Sequence, residues 1–131
     1  MFEVRLVHPD CPAVPDNPDR LAVRAIIRQG SRLLMIHSLV NGDYKFPGGG
    51  VEDGETSADA LVREVREESG FRVASIGVLS GRALQVNPDV FNPELTFSME
   101  SRYYECSLAE EAPGEQNLDD YEAALEFEAV W

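Results

Sequence analysis

Apolar and polar residues alternate over residues 2–8 (FEVRLVH), and that period of two predicts a short strand. Pro9, Pro12, Pro15 and Pro18 then recur at three-residue intervals. Asp10, Asp16 and Asp19 interrupt the run and no basic anchor is near, so it reads as a surface connector. Residues 20–28 and 32–40 are apolar segments joined by Gln29-Gly30-Ser31, which predicts a hairpin. Asn41-Gly42-Asp43 is a turn. Over residues 57–69 the period changes: Ala58, Leu61, Val62 and Val65 recur at i, i+3, i+4 and i+7, the spacing of one buried helical stripe. Thr56 opens this helix, with Asp59 completing an approximate capping box, and Ser69-Gly70 closes it. Residues 71–79 return to a β pattern, with Phe71, Val73, Ile76 and Val78 as core candidates. Residues 80–94 read as strand end and loop, punctuated by Asn87-Pro88 and Asn92-Pro93. Residues 95–108 predict a long strand, 109–124 an acidic, turn-rich stretch with one short helical turn, and 125–131 a last strand.

One strong helix among strands predicts an α/β fold, and 131 residues without a repeat or linker predict a single domain spanning 1–131. Glu64, Glu67 and Glu68 also recur at i, i+3 and i+4, on what the stripe makes the opposite face. Three carboxylates within a turn repel one another, and a hard divalent cation is a better partner than Arg63 or Arg66. On its own an ExxEE helix face is usually just solvated.

Net charge sharpens the picture. Twenty-four acidic residues against eleven basic ones give a formal charge of -13. This argues against a nucleic-acid groove or an anionic membrane surface, both of which need excess Lys and Arg. An acidic protein still binds a phosphorylated metabolite when metal ions neutralise both sides. Two cysteines, Cys11 and Cys106, make no disulfide framework, which predicts a reducing, cytoplasmic setting. Cys106 reads as a small core residue and Cys11 as inert. His37 lies in a strand and reads as structural. Arg20, Arg24 and Arg28 lie on one strand as strand-edge charges or phosphate contacts.

The spacing around the acidic helix settles more than its composition. Gly49, Glu55, then Arg63-Glu64-Val65-Arg66-Glu67-Glu68-Ser69-Gly70-Phe71 fit G-x5-E-x7-R-E-U-x-E-E-x-G-U at every position. A chance match would arise on the order of once in 10⁹ starting points at average residue usage. The chain therefore resembles the Nudix (MutT-like) hydrolases, over residues 20 to 131.

That resemblance implies an α/β/α sandwich with a mixed, partly antiparallel sheet. It implies metal-dependent hydrolysis of a nucleoside diphosphate linked to another group X, a small-molecule nucleotide substrate of the ADP-ribose, nucleotide-sugar or (d)NTP class. Glu64, Glu67 and Glu68 would bind Mg²⁺, with Mn²⁺ as the alternative, and a backbone carbonyl at Gly48 or Gly49 would add a ligand. Glu55 and Arg63 would pair to fix loop against helix. The general base would be Glu64 or a glutamate of a later loop, among Glu110, Glu111, Glu115, Glu122, Glu126 and Glu128; Glu126 is favoured and Glu122 comes second. Tyr44 or Phe46 would stack on base or ribose, and Arg24 would contact substrate. Nudix domains usually continue into a closing helix, which is absent from the given sequence, so either the chain is a fragment or another subunit covers the exposed face; the uncovered apolar surface predicts a homodimer. The competing reading is a ligand-sensing Nudix-fold domain without turnover, against which the intact box speaks.

Overall fold

The computed structural model describes residues 1–131 except 12, 13, 93 and 111, so Pro12, Pro93 and Glu111 of the sequence reading lie outside the described residues. The first strand, β1 (Phe2–Val7), is followed by β2 (Arg20–Gln29), β3 (Arg32–Leu33), β4 (Met35–Ser38), β5 (Tyr44–Lys45) and β6 (Gly48–Gly50). Helix α1 (Ser57–Ser69) precedes two long strands, β7 (Val73–Pro88) and β8 (Thr96–Leu108), and the chain closes with α2 (Asp120–Ala124) and β9 (Phe127–Val130).

The strands form two sheets. The larger runs β1-β7-β8-β2-β3, with β6 also paired to β2; the smaller runs β5-β4-β9. β1 is parallel to β7 and β2 to β8, whereas β7–β8, β2–β3 and β2–β6 are antiparallel. This is the expected α/β arrangement with a mixed, partly antiparallel sheet. The expected hairpin forms, with Arg28 opposite Leu33 and a turn that puts Gly30 at φ 59°. Its second arm does not stay in one sheet. The chain leaves β3 at the fully buried Leu34 and enters the small sheet as β4.

The core lies where β2 meets α1. Ala22, Val23, Ala25 and Ile27 of β2 are buried, and Val23, Ala25 and Ile27 form one cluster with Leu34, Ala60, Leu61, Val65 and Val73. Thr56 accepts a hydrogen bond from the Asp59 amide and Gly70 caps the other end in the left-handed conformation, so both predicted helix stops hold. The phase of the stripe differs from the expectation. Leu61 and Val65 are buried, but Ala58 and Val62 are exposed, and the stripe continues through Ala60, Glu68 and Ser69. Glu68 is three residues past Val65 and seven past Leu61, so helix geometry carries it inward with them.

Two further differences follow from pairing. Residues 80–88 are strand, not loop, because β7 pairs with β8 continuously from Gly81–Tyr103 to Pro88–Thr96. The proline is tolerated at the last rung, where the strand ends. Register shifts between Ile76 and Gly81 rotate the strand, leaving Val73 buried and Val78 69% exposed despite its place in the apolar pattern. Phe71 and Ile76 pack against the core cluster, as does Cys106, whose thiol burial pushes up to about 11.

Candidate active site

The glycine run owes its sequence to close approach. Gly48 sits at φ 151°, and a Cβ there would lie 1.9 Å from the Val23 carbonyl oxygen, so only glycine lets β6 lie against β2. At Gly49 a Cβ would meet the Glu64 carboxylate at 2.5–2.8 Å. The helix carboxylate is thus pressed directly onto loop backbone.

Arg63 ties that loop to the helix. Its Nε and Nη2 donate to the two oxygens of Glu55 at 2.8 and 2.9 Å, the planar fork that matches a carboxylate. Nη2 also donates to the Gly50 carbonyl at 3.2 Å, and Nη1 to Glu64 at 3.0 Å and Glu67 at 3.2 Å. The Arg63 hydrogen bond holds Glu55 down at about 2, and Glu55 in turn raises the guanidinium above its ordinary value. The pairing expected of Glu55 and Arg63 is present in the geometry.

Glu68 is fully buried. Its Oε1 accepts from the Gly48 amide at 2.7 Å and its Oε2 from Lys45 Nζ at 2.6 Å. Burial pushes this carboxyl up to about 7, although Lys45 and Gly48 favour its charged form. Burial likewise raises Glu64, against the pull of Arg63 and with repulsion from Glu67 and Glu122 adding to it.

Carboxylate oxygens of Glu64, Glu68 and Glu122 all lie within 4.8 Å of one another. Asp119 holds Glu122 there through a capping box: its carboxylate accepts from the Glu122 amide at 2.8 Å, and Glu122 accepts from the Asp119 amide at 3.1 Å. An all-oxygen set of three converging carboxylates, one of them shut away from water, suits a hard divalent cation. Glu67 turns toward Arg63 instead and is not in this group. Glu126 is exposed, at φ 52° in the turn between α2 and β9, and is outside the group as well. The carbonyl of Gly48, expected as a ligand, accepts from Arg24 Nη1 at 2.9 Å.

Glu64 and Glu122 line a cleft of about 250 Å³ whose walls also include Arg20, Arg24, Lys45 and the three glycines, while Glu68 is buried against Lys45 and the Gly48 amide. A second cleft of about 300 Å³ shares Arg24 and Lys45 with it and is lined by Tyr44, Phe46, Gln85 and Tyr103. Tyr44 stacks on His37 at 4.3 Å and is 61% exposed; Phe46 meets Tyr103 edge-on at 5.7 Å. His37 also lies 3.4 Å from Glu128, so it is engaged by structure on both sides. Another cavity, of about 920 Å³ between Ile26, Phe71, Leu108 and Trp131, is lined by Arg28 and Glu110 of the expected candidates but by none of Glu64, Glu68 and Glu122.

Sequence reasoning passed over Lys45 as a site residue, weighed Arg20 as a strand-edge charge or phosphate contact, and ranked Glu122 second. Lys45 carried a signal, as the only lysine in the chain and two residues before the glycine run.

Carboxylates of α1, the glycine strand β6 and facing arginines and a lysine thus come together on one α/β scaffold. Residues 18–131 match the NUDIX domain, and the chain belongs to that family. It is 44% identical over 48 residues to a MutT-like protein of Streptomyces ambofaciens, covering 37% of this chain and 31% of that one. It is 43% identical over 54 residues to an ADP-ribose pyrophosphatase of Methanocaldococcus jannaschii, covering 39% and 32%. The match thus spans about a third of each relative's own length. A Nudix hydrolase from Nitrosomonas europaea has the same fold, with TM-score 0.59 at 24% identity, covering 79% of this chain and 67% of that one. Among the described residues, no helix is long and apolar enough to cross a membrane.

Proposed function

We propose that this chain hydrolyses the diphosphate of a nucleoside diphosphate linked to another group X, releasing a nucleotide and a phosphorylated X. The observation that carries the reading is the convergence of Glu64, Glu68 and Glu122 beside a cleft that Glu64 and Glu122 line together with Arg20, Arg24 and Lys45. Acid alone would repel a diphosphate, and cations alone would not hold a metal. The combination serves a phosphorylated substrate bound through a divalent ion.

Glu64, Glu68 and Glu122 would hold Mg²⁺ or Mn²⁺, which when bound would neutralise phosphate charge and make a water more acidic. The chain's own residues do the rest. Arg20, Arg24 and Lys45 bind phosphate oxygens and orient the diphosphate. Tyr44 and Phe46, in the adjoining cleft, offer aromatic surface to the base or to X. Glu64 accepts the proton of the attacking water, with Arg63 fixing its position. Water's oxygen bonds to one phosphorus, the bridging P–O bond breaks, and the second phosphate leaves with the electron pair. Glu67 joins the metal side only by releasing Arg63. The working unit is a homodimer, supported by β1, an edge strand that exposes Phe2, Val4 and Leu6.

A panel of ADP-ribose, other nucleotide sugars and (d)NTPs tests the reaction, with Mg²⁺ and phosphate assayed after phosphatase treatment. At least one member is cleaved in a Mg²⁺-dependent way, and Glu68→Gln lowers that rate by about a hundredfold or more. A protein that binds Mg²⁺ but cleaves no member would be a ligand sensor. Light scattering at micromolar concentration checks the dimer; a clean monomer rejects it.

A further inference from the structure

We propose that Lys45 is a resident stand-in for the divalent cation: it holds Glu68 in the metal-free protein and moves to substrate phosphate when an ion arrives. This inference rests on the hydrolase reading above.

A carboxylate as buried as Glu68 cannot stay ionised without a cation beside it. Lys45 is that cation, at 2.6 Å, while the Gly48 amide takes the other oxygen. The same carboxylate has an oxygen within 4.8 Å of Glu64 and Glu122. An ion shared by those three groups and the ammonium therefore compete for one partner.

The lysine is built to leave. Its ammonium is a compact charge on a flexible four-carbon stem, free to turn its donors without a planar fork to satisfy. The side chain is 35% exposed, so its exit is into open cleft. It rests over the Phe127 ring at 4.5 Å, an attraction that does not hold it to one position. It lines both clefts, so a swing about its own stem brings the ammonium from Glu68 to a phosphate bound between them. The exchange keeps the buried charge compensated at every stage, and it delivers a phosphate-binding group only when the metal is in place.

Lys45 is the only lysine, so the test needs no variant. The rate at which an amine-acylating reagent modifies Lys45 is followed by peptide mass spectrometry, with the N-terminal amine as internal reference. Calorimetry monitors Mg²⁺ binding in parallel. The metal-free protein should react slowly, and saturating Mg²⁺ should raise the Lys45 rate by about tenfold, the loss of one hydrogen bond to a charged group. A methylene-bridged nucleoside diphosphate analogue should slow it again. If Mg²⁺ binds, the panel is hydrolysed and the Lys45 rate does not move, this inference falls and the hydrolase reading stands. If Mg²⁺ neither binds nor supports hydrolysis, both fall.

Discussion

Two carboxylates a helix apart have opposite relations to their surroundings, and pH should expose the difference. Glu55 is held at about 2 by Arg63, below its ordinary 4.5, so its contribution to stability is present above about 4.5 and lost as pH falls through about 2. Glu68 is raised to about 7 by burial. Its contribution in the metal-free protein is fully present below about 4.5 and is lost as pH rises through about 7, on the order of 3 kcal/mol for a shift of that size. Metal-free Glu68→Gln should therefore lose less stability between pH 4.5 and 7 than the parent, in urea melts across that window; equal slopes would contradict the burial argument. The two late-loop candidates, Glu122 and Glu126, are distinguished at the same scale. Glu122→Gln should lower hydrolysis by about a hundredfold and Glu126→Gln by less than about threefold, because only Glu122 reaches Glu64 and Glu68. The reverse order would restore Glu126 as the functional carboxylate.

At the scale of elements, period and punctuation in the sequence located β1, β2, α1, β8 and β9, since alternation, the Thr56 cap and Gly70 act locally, but not the glycine strand β6 or the break between β3 and β4. They misjudged what depends on neighbours. Leu61, Val65 and Glu68 share one stripe, but a charged residue counts as solvent-facing until a lysine and an amide from another strand are known to satisfy it. Val62 and Ala58 were read inward because apolar spacing does not fix the phase of a short helix. Residues 80–88 read as loop because Asn87-Pro88 dominates locally, whereas the β8 partner is remote in sequence. The site was half legible in the same way: the box located Glu64, Glu68, Glu55 and Arg63, while Glu122 and Lys45 come from elements brought in by the fold. Stability measurements test the helix phase. Leu61→Ala should cost about 2–5 kcal/mol and Val62→Ala within about 0.5 kcal/mol. Comparable losses at both sites would mean the helix is rotated.

The whole molecule carries a charge of -13, and much of it is unopposed. Self-repulsion of that size weakens the compact state and is screened by salt. Raising ionic strength from about 0.01 M to about 0.15 M shortens the screening length from about 30 Å to about 8 Å. The metal-free protein should then gain roughly 2–5 °C in Tm, about 0.5–1 kcal/mol. A falling Tm would mean that the Arg63 network outweighs the net charge.

The placement of Glu122 has a consequence for how activity is born. The ribosome delivers Gly49, Glu64 and Glu68 long before α2 and β9, and β9 pairs with β4 across the small sheet and packs Ala129 against the core cluster. A nascent chain halted before residue 120 carries the whole signature yet lacks the third carboxylate. On the proposed reading, the signature alone is then not enough for turnover: α2 must be made and docked as well.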